Sequence, residues 1–70
     1  MSDRTLTVYY VAQVRSAGAR LWETLGRHRT PVSAGRRVAT AVMLGRAHGR
    51  VLQVTTPSYY DPIVMLRVSR

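Results

Sequence analysis

The sequence predicts an α+β domain in which a four-stranded antiparallel sheet is covered on one face by a single helix. Two observations indicate this class. Residues 5–15 alternate at a period of two, and Thr30-Pro31 opens a segment whose apolar residues recur at helical spacing. The length of 70 residues allows one domain with a small core. The predicted order is ββαββ, and a right-handed crossover through the helix gives the strand order 2-1-3-4.

A β-hairpin is predicted over residues 5–28. Its first strand, about residues 5–15, is rich in β-branched and aromatic residues. Small residues and Gly18 provide the turn, and residues 20–28 return as the second strand, in which Gly26 either ends the strand or marks a bulge. The side chains predicted to face the helix from this hairpin are Leu6, Val8, Tyr10, Ala12, Val14 and Trp22.

The helix is predicted over residues 31–48. Thr is a preferred N-cap, Pro is favoured at the first helical position, and Gly49 is predicted as the stop signal beyond the helix. The inner side of the helix consists of small residues: Ala34, Val38, Ala41, Val42 and Gly45. Strands over residues 50–56 and 63–69 follow, joined by a loop with two prolines and the pair Tyr59-Tyr60. Leu52, Val54, Val64, Leu66 and Val68 are predicted to face the helix.

One helix can cover only one face of four strands. Because strands 1, 2 and 4 do not alternate between apolar and polar residues, the pleat predicts a second, uncovered apolar face. Its predicted members are Tyr9, Val11, Leu21, Leu25, Val51, Ile63 and Met65. Soluble monomers rarely expose an apolar patch of this size. A homodimer through this face, or another partner, is therefore expected.

The composition excludes several kinds of chemistry. The chain has no cysteine, so it has neither disulfides nor thiolate metal sites. Three carboxylates in separate segments suggest no acid–base pair, and His28 and His48 have no third ligand near them in sequence. We expect no metal, no cofactor and no enzymatic activity. One enzymatic function is kept as an alternative, ranked third after the two binding functions given below. It is a small metal-independent ribonuclease that uses Arg, His and Tyr, since the chain contains all three residue types.

Neither a membrane span nor a signal peptide is expected. The longest apolar run covers only residues 8–12, and Asp3 stands where a signal peptide would be basic. The predicted location is the cytoplasm.

The charge is strongly positive, with eleven arginines, no lysine and three acids giving +8. The preference for Arg over Lys reflects a GC-rich coding bias, but the excess of bases over acids does not. Six arginines and no carboxylate lie between Arg27 and Arg50, around a helix N-terminus that favours anions. The predicted phosphate-binding residues are Arg27, His28, Arg29, Thr30, Ser33, Arg36, Arg37 and Arg50. A solvated basic face and a surface for an acidic protein are the alternatives.

Residues 9–43 resemble the arm-type and AP2-like DNA-binding domains of phage integrases, with Trp22, Gly26, Thr30 and Ala34 at the motif positions. The resemblance implies that the sheet enters the major groove and that the helix braces it. The implied contacts are Gln13, Arg15, Arg20 and Arg27. That family has three strands before the helix, whereas this chain has two before and two after. The chain is also similar to small proteins of phages that infect GC-rich bacteria, which implies a phage origin.

The expected function is therefore that of a non-enzymatic nucleic-acid-binding accessory protein acting in a bacterial host cell, on DNA rather than RNA. Neutralising six phosphates would give log affinity against log salt a slope of about −5. The alternative is a phage-type inhibitor that docks on an acidic host protein through a basic or apolar surface.

Overall fold

A computed structural model of the chain describes residues 7–56 and 61–69. Its elements, in chain order, are β1 (Thr7–Arg15), β2 (Glu23–His28), α1 (Pro31–Met43), β3 (His48–Thr56) and β4 (Ile63–Ser69). All adjacent strands are antiparallel and lie in the order β2-β1-β3-β4, so the predicted fold class and strand order are confirmed. The predicted strand residues 5 and 6 and the pair Tyr59-Tyr60 lie outside the described residues. Within the described ranges, no helix has the length and hydrophobicity to cross a membrane.

The core lies between α1 and the middle of β1 and β3. Ala12 and Val51 are cross-strand partners, and both are completely buried. They pack against Ala34, Val38 and Val42, which recur at helical spacing along one side of α1. We call this side of the sheet the helix face. Its small side chains let the helix lie close to the strands.

Gly49 of β3 is the point of closest approach between the helix and the sheet. A Cβ atom at this position would overlap the side chain of Val38 and would lie 3.2 Å from Cγ2 of Val42. Gly49 is paired with Val14, which is also completely buried. The glycine therefore has a packing role within a strand, and the prediction that it stops the helix is wrong.

The helix ends at Met43, five residues before the predicted boundary, in a Schellman motif. The N–H of Gly45 donates to the carbonyl of Val42 at 3.2 Å, and the N–H of Arg46 donates to that of Ala41 at 3.1 Å. Gly45 has a φ of +130°, which side-chain-bearing residues rarely adopt. Gly45 thus lies beyond the helix instead of on its inner side, and β3 begins at His48, two residues earlier than predicted.

A bulge in β2 reverses the predicted faces of that strand. Ala12 pairs with Gly26 and Gln13 with Thr24, so Leu25 is the extra residue. Leu25 packs against the core, and the prediction that it belongs to the uncovered face is wrong. Residues before the bulge have the opposite alternation from that predicted. Trp22, predicted to face the helix, therefore lies on the other side of the sheet.

A second bulge, in β4, shifts the register between β3 and β4 by one residue. Val51 pairs with Leu66 and Leu52 with Val64, which leaves Met65 as the extra residue.

The faces of β3 also differ from the prediction. Val51 and Leu52 are both apolar, so alternation alone could not assign them. The prediction is wrong for both, because Val51 is in the core and Leu52 is on the opposite side. Val54 and Val64 share the side of Leu52, against the prediction.

We call the side of the sheet opposite α1 the open face. By strand register it consists of Thr7, Tyr9, Val11, Gln13 and Arg15 of β1, Thr24 and Arg27 of β2, His48, Arg50, Leu52, Val54 and Thr56 of β3, and Val64, Arg67 and Ser69 of β4. Of the seven residues predicted there, Tyr9 and Val11 are present, and Met65 is the exposed extra residue of the β4 bulge. Ile63 pairs with Gln53 on the helix face, and Leu21 is an exposed residue before β2. The predicted set of seven apolar residues on this face is therefore wrong in most of its members, and the homodimer inferred from it stays a prediction.

Candidate nucleic-acid interface

Three arginines and the single tryptophan of the chain meet at one end of the open face. The guanidinium carbon of Arg50 lies 4.1 Å from the centroid of the Trp22 ring, and that of Arg15 lies 4.8 Å from it. Both distances are within cation–π range. Arg67 is the cross-strand partner of Arg50. We call Arg15, Trp22, Arg50 and Arg67 the arginine–tryptophan cluster.

A hydrogen-bond chain across three strands holds Arg50 in place. Its Nε–H donates to Oε1 of Gln13 at 2.8 Å, and Nε2 of Gln13 donates to Oγ1 of Thr24 at 3.1 Å. Gln13 lies directly between the other two residues in the sheet. These two hydrogen bonds and the Trp22 ring fix the direction of the Arg50 guanidinium before any ligand binds.

The cluster concentrates positive charge. Burial, followed by the charges of Arg67 and Arg15, lowers the pKa of the Arg50 guanidinium. Like charges directly opposite each other also destabilise a sheet. The two described carboxylates lie elsewhere: Glu23 forms an ion pair with Arg46 at 2.6 Å, and Asp61 is in the loop before β4. Among the described residues, the open face has no internal counter-charge, so an anionic ligand would relieve the repulsion.

The cluster borders a groove of about 240 Å³ at the end of the sheet where β1 and β4 finish and β3 begins. The groove is lined by Arg15, Trp22, His48, Gly49, Arg50, Arg67, Val68 and Ser69. His48 and Ser69 are cross-strand partners, with 3.5 Å between Nδ1 and Oγ. Cationic, imidazole and hydroxyl groups therefore surround one small recess.

The rest of the open face carries mainly aromatic and apolar side chains, together with Arg27. Arg27 lies over the ring of Tyr9, with its guanidinium carbon 4.9 Å from the centroid. Beside this pair are Val11, Leu52, Val54 and Val64. Val11 is only 9% exposed although it is on the open face, because Arg27 and Leu52 flank it in the sheet. The open face thus divides into a basic half and an apolar half.

At the helix N-terminus, where a phosphate site was predicted, backbone N–H groups already donate hydrogen bonds within the protein. Thr30 is the N-cap, and its hydroxyl accepts the N–H of Ser33 at 3.2 Å. Its carbonyl accepts the N–H of Ala34 at 3.3 Å, and Pro31 has no N–H. The Ser33 hydroxyl is 2.8 Å from Nδ1 of His28. The terminus therefore offers an anion few backbone donors.

The structure divides the predicted phosphate-binding set between the two sides of the sheet. Around the start of α1 it places His28, Arg29, Thr30, Ser33, Arg36 and Arg37, of which the three arginines are exposed. Arg27 and Arg50 are on the open face instead. The reason is strand alternation, since His28 pairs with Tyr10 on the helix face and its neighbour Arg27 points the opposite way.

Two of the sheet contacts implied by the family resemblance, Gln13 and Arg15, belong to the open face. Arg20 is exposed in the connection before β2. Sequence reasoning missed Arg67, Trp22 and His48. Arg67 had a usable signal, because an Arg in an alternating strand has to leave the core side, but its pairing with Arg50 depends on the β4 bulge.

The chain shows no match to a protein-family model, a curated protein or a solved structure. Within residues 7–56 and 61–69, no three histidine or carboxylate side chains come together in a way that could hold a metal ion.

Proposed function

We propose that the protein binds nucleic acid through the open face of its sheet, DNA in preference to RNA, and that it does so without catalysing a reaction. The observation that supports this is the composition of that face. It combines Arg15, Arg27, Arg50 and Arg67 with the aromatic rings of Tyr9 and Trp22. Arginine pairs with phosphate oxygens through its planar fork, and aromatic rings and guanidinium planes stack on bases.

The arrangement of these groups argues against a merely solubilising basic surface. Such a surface is served best by charges of both signs that are interspersed. Here Arg50 is held by Gln13 and Trp22, although the neighbouring Arg67 repels it. A locally unfavourable arrangement that the fold nevertheless maintains is typical of a functional site.

The salt dependence of binding tests the proposal. Neutralising four phosphates predicts a slope of log affinity against log salt of about −4 on duplex DNA and about −3 on a single strand. Fluorescence anisotropy with a labelled oligonucleotide, as duplex, as single strand and as RNA of the same sequence, measures this slope and ranks the three forms. Binding that does not depend on salt would contradict the proposal.

A pair of charge-matched double variants tests which surface is used. The double variant Arg15→Gln/Arg50→Gln removes two positive charges from the open face. The double variant Arg36→Gln/Arg37→Gln removes two from the exposed side of α1, called here the helix side. The first pair is expected to flatten the duplex slope by about 2, and the second by less than 1. The reverse order would assign binding to the helix side.

The alternative class is an inhibitor that docks on an acidic host protein. The apolar half of the open face, beside the basic half, supports it, since protein interfaces combine an apolar centre with a polar rim. A pull-down from nuclease-treated bacterial lysate separates the classes. One stoichiometric protein band favours the inhibitor, and loss of all partners after nuclease treatment favours nucleic-acid binding.

A further inference from the structure

The groove of the arginine–tryptophan cluster has the size and lining of a site for one phosphate group. Its volume of about 240 Å³ is below the range of about 300–1,000 Å³ that is usual for sites of drug-sized ligands. It would hold a phosphate with part of the attached sugar. Arg15, Arg50 and Arg67 all line it, and His48 and Ser69 add further polar groups.

The groove is organised before a ligand binds. Arg50 is held by its hydrogen bond to Gln13 and by the ring of Trp22. The guanidinium carbon of Arg15 lies 4.8 Å from the centroid of the same ring. Arginines that are already oriented lose less side-chain freedom on forming paired bonds to phosphate oxygens. Affinity in this groove therefore depends on how well the charge of the ligand matches three guanidinium groups.

Three guanidinium groups match a terminal phosphate better than an internal one. A phosphodiester within a strand carries one negative charge, whereas a phosphomonoester carries about −1.5 to −2 and three acceptor oxygens. The mutual repulsion of three arginines is relieved most by the larger charge. We propose that this groove binds the terminal phosphomonoester of a nucleic-acid strand. The inference rests on the proposed function and adds a preference for strand ends.

Three oligonucleotides of identical sequence test the inference, one with a 5′-phosphate, one with a 3′-phosphate and one with neither. One phosphorylated strand is expected to bind at least about tenfold more tightly than the unphosphorylated strand, from the added charge-assisted hydrogen bonds. The preferred end identifies the polarity of binding. Equal affinity for all three strands would overturn the inference, while salt-dependent binding of the unphosphorylated strand would leave the proposed function standing.

Two variants assign the preference to the groove. Arg67→Gln is expected to bring the ratio of phosphorylated to unphosphorylated affinity close to one. Arg27→Gln makes the same charge change on the same face, but over Tyr9 and outside the groove lining. It is expected to weaken binding of all three strands equally and to leave the ratio unchanged. A ratio that persists in Arg67→Gln, or is lost equally in Arg27→Gln, would overturn the assignment.

A measurement on the unmodified protein keeps the test independent of how the variants fold. Trp22 is the single tryptophan of the chain, so its emission reports on the guanidinium groups beside it. Titration with inorganic phosphate is expected to give a saturable change in emission, which chloride at equal ionic strength does not reproduce. Identical responses to phosphate and chloride would contradict a phosphate site in this groove.

Discussion

Replacing Arg67 with glutamine is expected to make the ligand-free protein more stable. Arg67 lies directly opposite Arg50 in the sheet, and with Arg15 it lowers the pKa of Arg50. Opposed like charges destabilise a cross-strand pair by about 0.2–1 kcal/mol, and Arg67 is exposed, so a gain of about 0.5 kcal/mol is expected. For a domain of this length that corresponds to a rise in Tm of about 2–4 °C.

The salt dependence of the gain identifies its cause. Thermal unfolding followed by circular dichroism at low salt should show the rise. The rise should disappear in about 1 M salt, where the Debye length falls to about 3 Å. Arg27→Gln is the matched control, because Arg27 faces Val11 and not another arginine. It should show no gain, and it should lose the cation–π contact with Tyr9 because glutamine carries no charge.

A loss of stability in Arg67→Gln at low salt, or a gain that is the same at every salt concentration, would refute the reasoning. The predicted gain also has a functional counterpart, since the same variant should weaken nucleic-acid binding. Opposite changes in stability and affinity are expected where a binding site holds charges together against their repulsion.

The remaining predictions concern the fold and the assembly. Gly49→Ala should lower the free energy of unfolding by about 1–3 kcal/mol in urea, because the added methyl group meets Val38 and Val42, and an unchanged midpoint would contradict the packing described. Thr30→Ala should cost about 1 kcal/mol through loss of the cap on the Ser33 N–H, and Thr30→Ser should restore most of it. The homodimer predicts a mass by light scattering that doubles as concentration rises, and a monomer throughout would exclude it.

Local sequence signals determined the elements of this protein and their order. The alternation in β1 and the Thr30-Pro31 pair are properties of neighbouring residues, and they give a strand and a capped helix start wherever the rest of the chain lies. The right-handed crossover then leads to the order β2-β1-β3-β4. Among the residues of the candidate site, Gln13 and Arg15 could be assigned from β1 alone, because that strand has no extra residue and its register with β3 is continuous.

Only the tertiary structure decided which face each later residue occupies. One extra residue at Leu25, and another at Met65, reverses the alternation beyond it. Gly26 was a local signal that allowed either a bulge or a strand end, and the bulge lies beside it, whereas no glycine marks the bulge at Met65. The choice between Gly45 and Gly49 as the end of the helix was also tertiary, because Val38 needs the space above Gly49. The arginine–tryptophan cluster follows from these same bulges. Strand register brings together side chains that are far apart in sequence, and register is set by how the core packs.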